Sequence, residues 1–171
     1  MKNTDEQNIG SHVEHILPKE IHPELTFDYD NLMFSCFATG GEIKADEKDH
    51  APVSCGHAAL KRTNNFDESL FIKPTDSDCE RYFSFELDGE ILPHPKLNDN
   101  ESQRAQYTIG LLNLNCLRLK RLREDVIIEG YKIIDDLQDS VGALQHFLEL
   151  ETLEFNGKLR DFINLRKQHF N

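Results

Sequence analysis

Ile109, Leu112, Cys116, Leu119, Leu122 and Val126 follow one another at steps of three and four. That spacing lays one apolar stripe along a helix of 3.6 residues per turn, and such a stripe has to be buried. The pattern therefore predicts a long helix across 109–126, with Arg118, Lys120, Arg121 and Arg123 between the stripe positions. Val141, Leu144 and Leu148 predict a second helix. Leu159, Phe162, Ile163 and Arg166 predict a third, after a break at Asn156-Gly157. Residues 1–98 have no comparable period. They hold short apolar runs separated by turn residues, and the junction LPHPKLNDNES (92–102), with two prolines and an Asn/Asp cluster, reads as a loop. The expected fold class is α+β: an N-terminal region, 1–98, with short strands and a β-hairpin, packed with a C-terminal helical region, 99–171, as one compact unit.

In the first region, His12–Leu17 suits a short strand ended by Pro18, and NLMFSCF (31–37) is a second run of strand length. Residues 38–53 are polar and read as a loop. CGHAALKR (55–62) has helix formers after Gly56. In YFSFELDGEIL (82–92), Phe83, Phe85 and Leu87 alternate, and Asp88-Gly89 is the dipeptide of a type I′ hairpin turn.

The balance of 31 acidic against 19 basic residues gives a net charge of −12, which argues against indiscriminate attraction to nucleic acid and leaves room for a protein partner. No apolar run approaches the ~20 residues of a membrane helix, and MKNTDEQNIG has neither the apolar core nor the cleavage site of a secretion signal. The expectation is a cytoplasmic protein with no membrane association. Four scattered cysteines suit free thiols or a metal better than a disulfide framework.

The chemistry concentrates in SHVEHILPKE (11–20). On a strand, His12 and Glu14 share one face while Val13 and His15 share the other. Downstream come Asn31-Leu32 opening the second run, Cys36 closing it, then Cys55-Gly56-His57 leading to Lys61-Arg62. A strand with Glu-His, a strand opened by Asn, then a helix carrying His is the order of a ββα-metal finger. Over residues 11–62 the chain resembles the HNH endonuclease family. The phrases HVEHILPKE, HPELTFDYDNL, DSDCERYFSFELDGEI and LNLNCLRLKRLRE extend the resemblance over about 11–125, towards the HNH nuclease subunit of the Septu anti-phage system and related retron effectors.

Hydrolysing a phosphodiester needs an activated water, charge neutralisation at the phosphate and help for the departing oxygen. An imidazole takes a proton near neutral pH, and a divalent ion supplies the rest. The resemblance implies His15 as general base, with Asn31 orienting the loop between the strands. It implies Glu14 and His57 as ligands of a divalent metal, Mg²⁺ or Mn²⁺, and Lys19 and Lys61 near the phosphate backbone. Arg118 and Arg121, in the basic run 117–124, either flank a helix in solvent or line a nucleic-acid groove. Cys36 and Cys55 would supply half of a tetrahedral structural zinc shell. Relatives complete it with an upstream Cys-x-x-Cys that residues 1–10 lack, leaving Cys79 and His50 as substitutes or no zinc at all. The resemblance further implies an ABC-type ATPase subunit as partner and nucleic acid as substrate. Two other readings stand beside it: a catalytically inactive HNH-derived scaffold subunit, and a zinc-finger-like nucleic-acid reader.

Overall fold

The computed structural model describes residues 12–35, 54, 66–154 and 159–171. Among them are two antiparallel two-stranded sheets and four α-helices, a mixed α/β architecture. Strands β1 (His12–His15) and β2 (Leu32–Ser35) form the first sheet, with His15 opposite Leu32 and Glu14 opposite Met33. Strands β3 (Phe83–Phe85) and β4 (Ile91–Pro93) form the second, with Phe85 opposite Ile91. The helices are α1 (Asp99–Leu111), α2 (Leu117–Leu137), α3 (Val141–Thr152) and α4 (Ile163–Phe170). The predicted loop 38–53 and the segment 55–62 that would complete a ββα unit lie outside the described residues.

The apolar stripe of 109–126 is divided between two helices, contrary to the single long helix its spacing predicts. Helix α1 stops at Leu111 and α2 starts at Leu117. Asn113 takes a left-handed backbone, φ 49°, a conformation that asparagine tolerates better than most residues. Asn115 is the other reason: its Oδ1 accepts from Ile91 N–H and its Nδ2 donates to Ile91 O, both at 2.9 Å. The amide thus pairs the backbone of β4 as a neighbouring strand would. Of the stripe residues, Ile109, Cys116, Leu119 and Val126 are buried in spite of the break, and Leu112 and Leu122 are half-buried.

Helix α1 begins with a reciprocal cap inside the predicted loop. Asn98 Oδ1 accepts from Glu101 N–H at 3.0 Å, and Asn98 N–H donates back to Glu101 Oε2 at 3.1 Å. Two of the orphan amides of the first turn are satisfied that way.

The hairpin forms where predicted, with a different turn. A type I′ turn needs positive φ at both Asp88 and Gly89, and only Gly89 has it, at +77°. Gly89 N–H donates to Glu86 O and Glu86 N–H donates to Glu90 O, so a three-residue loop closes on a left-handed glycine. The tip is held from α2. Arg123, 4% exposed, donates from Nε to Gly89 O at 2.6 Å and from its terminal nitrogen to Leu114 O at 2.7 Å. Lys120 Nζ donates to Asp88 and Glu90. Two of the four basic residues of the 117–124 run are therefore spent on this hairpin.

The hydrogen bond from Glu90 N–H, followed by that from Lys120, holds the Asp88 carboxyl below its ordinary range. Arg81, with Asn98 N–H, does the same for Glu101. A depressed folded-state value stabilises above the unfolded value, ~4, and that contribution is lost as pH falls through the folded one. The urea midpoint is accordingly expected to fall on acidification below about pH 4, and Asp88→Asn with Glu101→Gln should flatten part of that fall. An unchanged acid limb in the double variant would show that these carboxylates carry none of it.

Three buried clusters hold the described elements. Ile16, Leu17, Phe71 and Leu111, with Met33 and Tyr107 against them, join the first strand pair to α1. Ile72, Tyr82 and Ala105 sit beneath the hairpin. Val126, Ile127, Leu165 and Phe170 join α2 to α4. The first cluster unites residues from both sides of the 98/99 junction. Helix α4 starts at Ile163, later than its periodicity predicts, because Phe162 turns left-handed at φ 55°; Leu159 lies before it, 58% exposed.

Candidate active site

The residues just after β1 decide where its histidine goes. Ile16, Leu17 and Pro18 are buried, so the strand's end is sunk into the first cluster. Burying side chains such as Ile16 and Leu17 contributes about 1.5–3 kcal/mol each. The chain then crosses a turn at 19–21, a short 3₁₀ turn at Pro23–Leu25 and a second at Tyr29–Asn31 before entering β2.

Asn31 closes this crossing. It is 5% exposed, and its amide is used on both sides. Oδ1 accepts from Leu17 N–H at 2.8 Å, while Nδ2 donates to Leu17 O and Leu25 O, each at 3.2 Å. Its own carbonyl accepts from Ile16 N–H at 2.8 Å. One side chain therefore pins the end of β1 and the middle of the connecting loop to the start of β2.

The pinned loop in turn positions His15. Thr26, next to Leu25, presents its carbonyl to His15 Nε2 at 2.9 Å. A carbonyl only accepts, so a hydrogen bond here requires the proton on Nε2. Glu14, half-buried, sits on the opposite face of the strand. Lys19 is exposed in the turn that follows. The order is Asn31, loop, Thr26 carbonyl, histidine.

The remaining predicted site residues divide. His57, Cys36, Cys55 and Lys61, together with His50, lie outside the described residues. Arg118 is half-buried and Arg121 exposed, both in the first turns of α2. Cys79 packs against the Ile72–Tyr82 cluster with its thiol 3.6 Å from Pro74 O, and burial pushes that thiol up; Cys116 is buried. Both are free thiols. Among the described residues no three His, Cys, Asp or Glu side chains gather as metal ligands do. Glu14 offers the hard oxygens a divalent cation takes, but one carboxylate is not a complete site. The Thr26 carbonyl went unnoticed in the sequence because a backbone acceptor has no residue-type signature.

His15 thus has one ring nitrogen committed to a carbonyl of a clamped loop, while Glu14, its neighbour in the chain, lies on the other face of the strand. Sequence comparison adds the family. The chain is 34% identical over 117 residues, 66% of its length, to the "Retron Vc95 putative HNH endonuclease" of Vibrio cholerae serotype O1 biovar El Tor. It is thus related to the HNH endonucleases, retron effectors among them. It spans about half the length of that curated relative. No family model matches the chain. Among the described residues no helix is long and apolar enough to cross a membrane.

Proposed function

We propose that this chain is a metal-dependent endonuclease hydrolysing phosphodiester bonds in nucleic acid, with His15 as general base. The observation that carries this is the bond from His15 Nε2 to the Thr26 carbonyl. It holds the imidazole in place by one ring nitrogen, which supports a general-base role for this side chain. Asn31 acts through the loop as a positioning residue, since its amide is consumed by Leu17 and Leu25. Glu14 and His57 would hold a divalent ion, Mg²⁺ or Mn²⁺, which when bound neutralises phosphate charge and eases departure of the leaving oxygen. Lys19, Lys61, Arg118 and Arg121 would lie along the phosphate backbone. Cys36 and Cys55 would be the two cysteines of a structural zinc site, if one forms.

The protein would act in the cytoplasm as the effector of an anti-phage system. Its partner would be an ABC-type ATPase subunit, as the resemblance to the Septu nuclease implies. The net charge of −12 supports such an arrangement, because weak nonspecific attraction to nucleic acid keeps a lone nuclease quiet until a partner positions it.

His15→Ala is expected to lower cleavage by the assembled protein by about 10²–10⁴-fold, read as nicking of plasmid DNA and of structured RNA with Mg²⁺ or Mn²⁺. Chelation should abolish cleavage and leave the far-ultraviolet circular dichroism in place. Undiminished cleavage by His15→Ala would remove it from the base role, and no metal-dependent cleavage by the assembled wild-type protein would leave a binding subunit. Arg118→Glu with Arg121→Glu should weaken nucleic-acid binding; unchanged binding would return both to the helix flank.

A further inference from the structure

The loop that carries Thr26 also presents Phe27 and Tyr29, which are 94% and 86% exposed. Large aromatic side chains this bare are uncommon, because each leaves apolar surface in water that burial would remove. The loop beneath them is built rather than slack. Asp28 N–H donates to Leu25 O at 3.2 Å, Asp28 Oδ1 accepts from Asp30 N–H at 3.0 Å, and Asn31 N–H donates to Asp28 O at 3.0 Å. Asn31 fixes the base of the loop through Leu25. The two rings are therefore held out from a rigid support, starting one residue beyond the carbonyl that binds His15.

We propose that Phe27 and Tyr29 form a stacking platform for an unpaired nucleobase next to the bond that His15 acts on, so that the substrate is single-stranded or locally unpaired nucleic acid. This rests on the nuclease reading of His15. The acidic residues of the loop fix which part of the substrate can lie here. Asp28 is committed to the Asp30 amide, and Asp30 presents an exposed carboxylate between the tip and Asn31. Carboxylates repel phosphates, so a backbone cannot run over this tip. A base turned out of its stack brings a neutral π-face to the rings, and its exocyclic amino group can donate to a carboxylate. An intact duplex, which shows phosphates outward and keeps its faces stacked, offers neither contact.

The test is binding, kept separate from cleavage. The full chain, with chelator present, is titrated with a short single-stranded oligonucleotide carrying 2-aminopurine. A matched oligonucleotide that is abasic at that position and the corresponding duplex serve as controls. Quenching of 2-aminopurine is expected on binding to the wild-type chain. Phe27→Ala with Tyr29→Ala should lose about tenfold or more in affinity, with the salt dependence unchanged because phosphate contacts are kept. Phe27→Trp with Tyr29→Trp should retain both affinity and quenching. The abasic and duplex probes should bind the wild-type chain and the double alanine variant alike. Equal binding of the labelled strand by both proteins, no binding by the wild-type chain at low salt, or a loss seen equally with the abasic probe would overturn the platform. Loss of a co-purifying protein by the alanine variant while strand binding stays intact would also overturn it, by making the loop a protein contact. Failure of the nuclease reading looks different: the assembled wild-type protein would then not cleave, or His15→Ala would cleave as well as it does, whatever the quenching shows.

Discussion

Asn31→Ala is expected to lose the first strand pair and cleavage together. The substitution removes one acceptor and two donated bonds, leaving Leu17 N–H, Leu17 O and Leu25 O without the partner they now have. The site is buried, so water does not easily replace the amide. An unsatisfied buried group costs about 1–3 kcal/mol, and three of them, partly relaxed, come to about 3–5 kcal/mol. Against the 5–15 kcal/mol of a typical domain that is a large share. The thermal midpoint should fall by on the order of 10 °C, and the amides of Ile16 and Leu17 should lose hydrogen-exchange protection first. Asn31→Asp gives no rescue: Oδ1 can still accept from Leu17, but the second oxygen would face two carbonyls and carry a buried charge. Cleavage should fall as far as it does in His15→Ala, because the Thr26 carbonyl leaves with the loop. A variant that melts normally and cleaves normally would show that the loop holds its shape without the clamp.

Gly89→Ala is expected to be nearly as damaging, at the second hairpin. A Cβ on Gly89 would stand 2.1 Å from Lys120 O and 2.9 Å from Glu124 N, both backbone atoms of α2. No rotamer change relieves such a collision, and φ +77° is already unfavourable for an L side chain. Moving the tip away breaks the bond from Arg123 Nε to Gly89 O and leaves a buried guanidinium short of an acceptor. A loss of about 3 kcal/mol or more follows, measurable as a lower urea midpoint. Arg123→Leu separates the two causes. It removes the charge without the collision and should cost less than Gly89→Ala. A Gly89→Ala protein as stable as the parent would show that α2 and the hairpin tip are not in contact.

Much of the hairpin was legible because alternation and an Asp-Gly pair are local facts. Its turn type was not. Whether Asp-Gly closes a two- or three-residue loop depends on what holds the tip, and here Lys120 and Arg123 of α2 hold it. The break at 112–116 followed the same rule. Spacing alone carried the stripe straight through, while Asn115 of LNLN had a use visible only once β4 lay beside it. The cap at Asn98 was readable in principle, since Asn followed three residues later by Glu is a local signature, but the prolines nearby made the segment look like loop throughout.

For the candidate site, the order of residues and the resemblance it carries named His15, Glu14 and Asn31 without any coordinates. The amino-acid order also determined the apolar stripe and the acidic balance, which depend on identity and spacing alone. Only the tertiary structure decided which nitrogen of His15 meets a carbonyl, where Asn31 spends its amide and why Arg123 is buried. Each of those depends on a backbone carbonyl brought close by packing, and every residue has the same carbonyl.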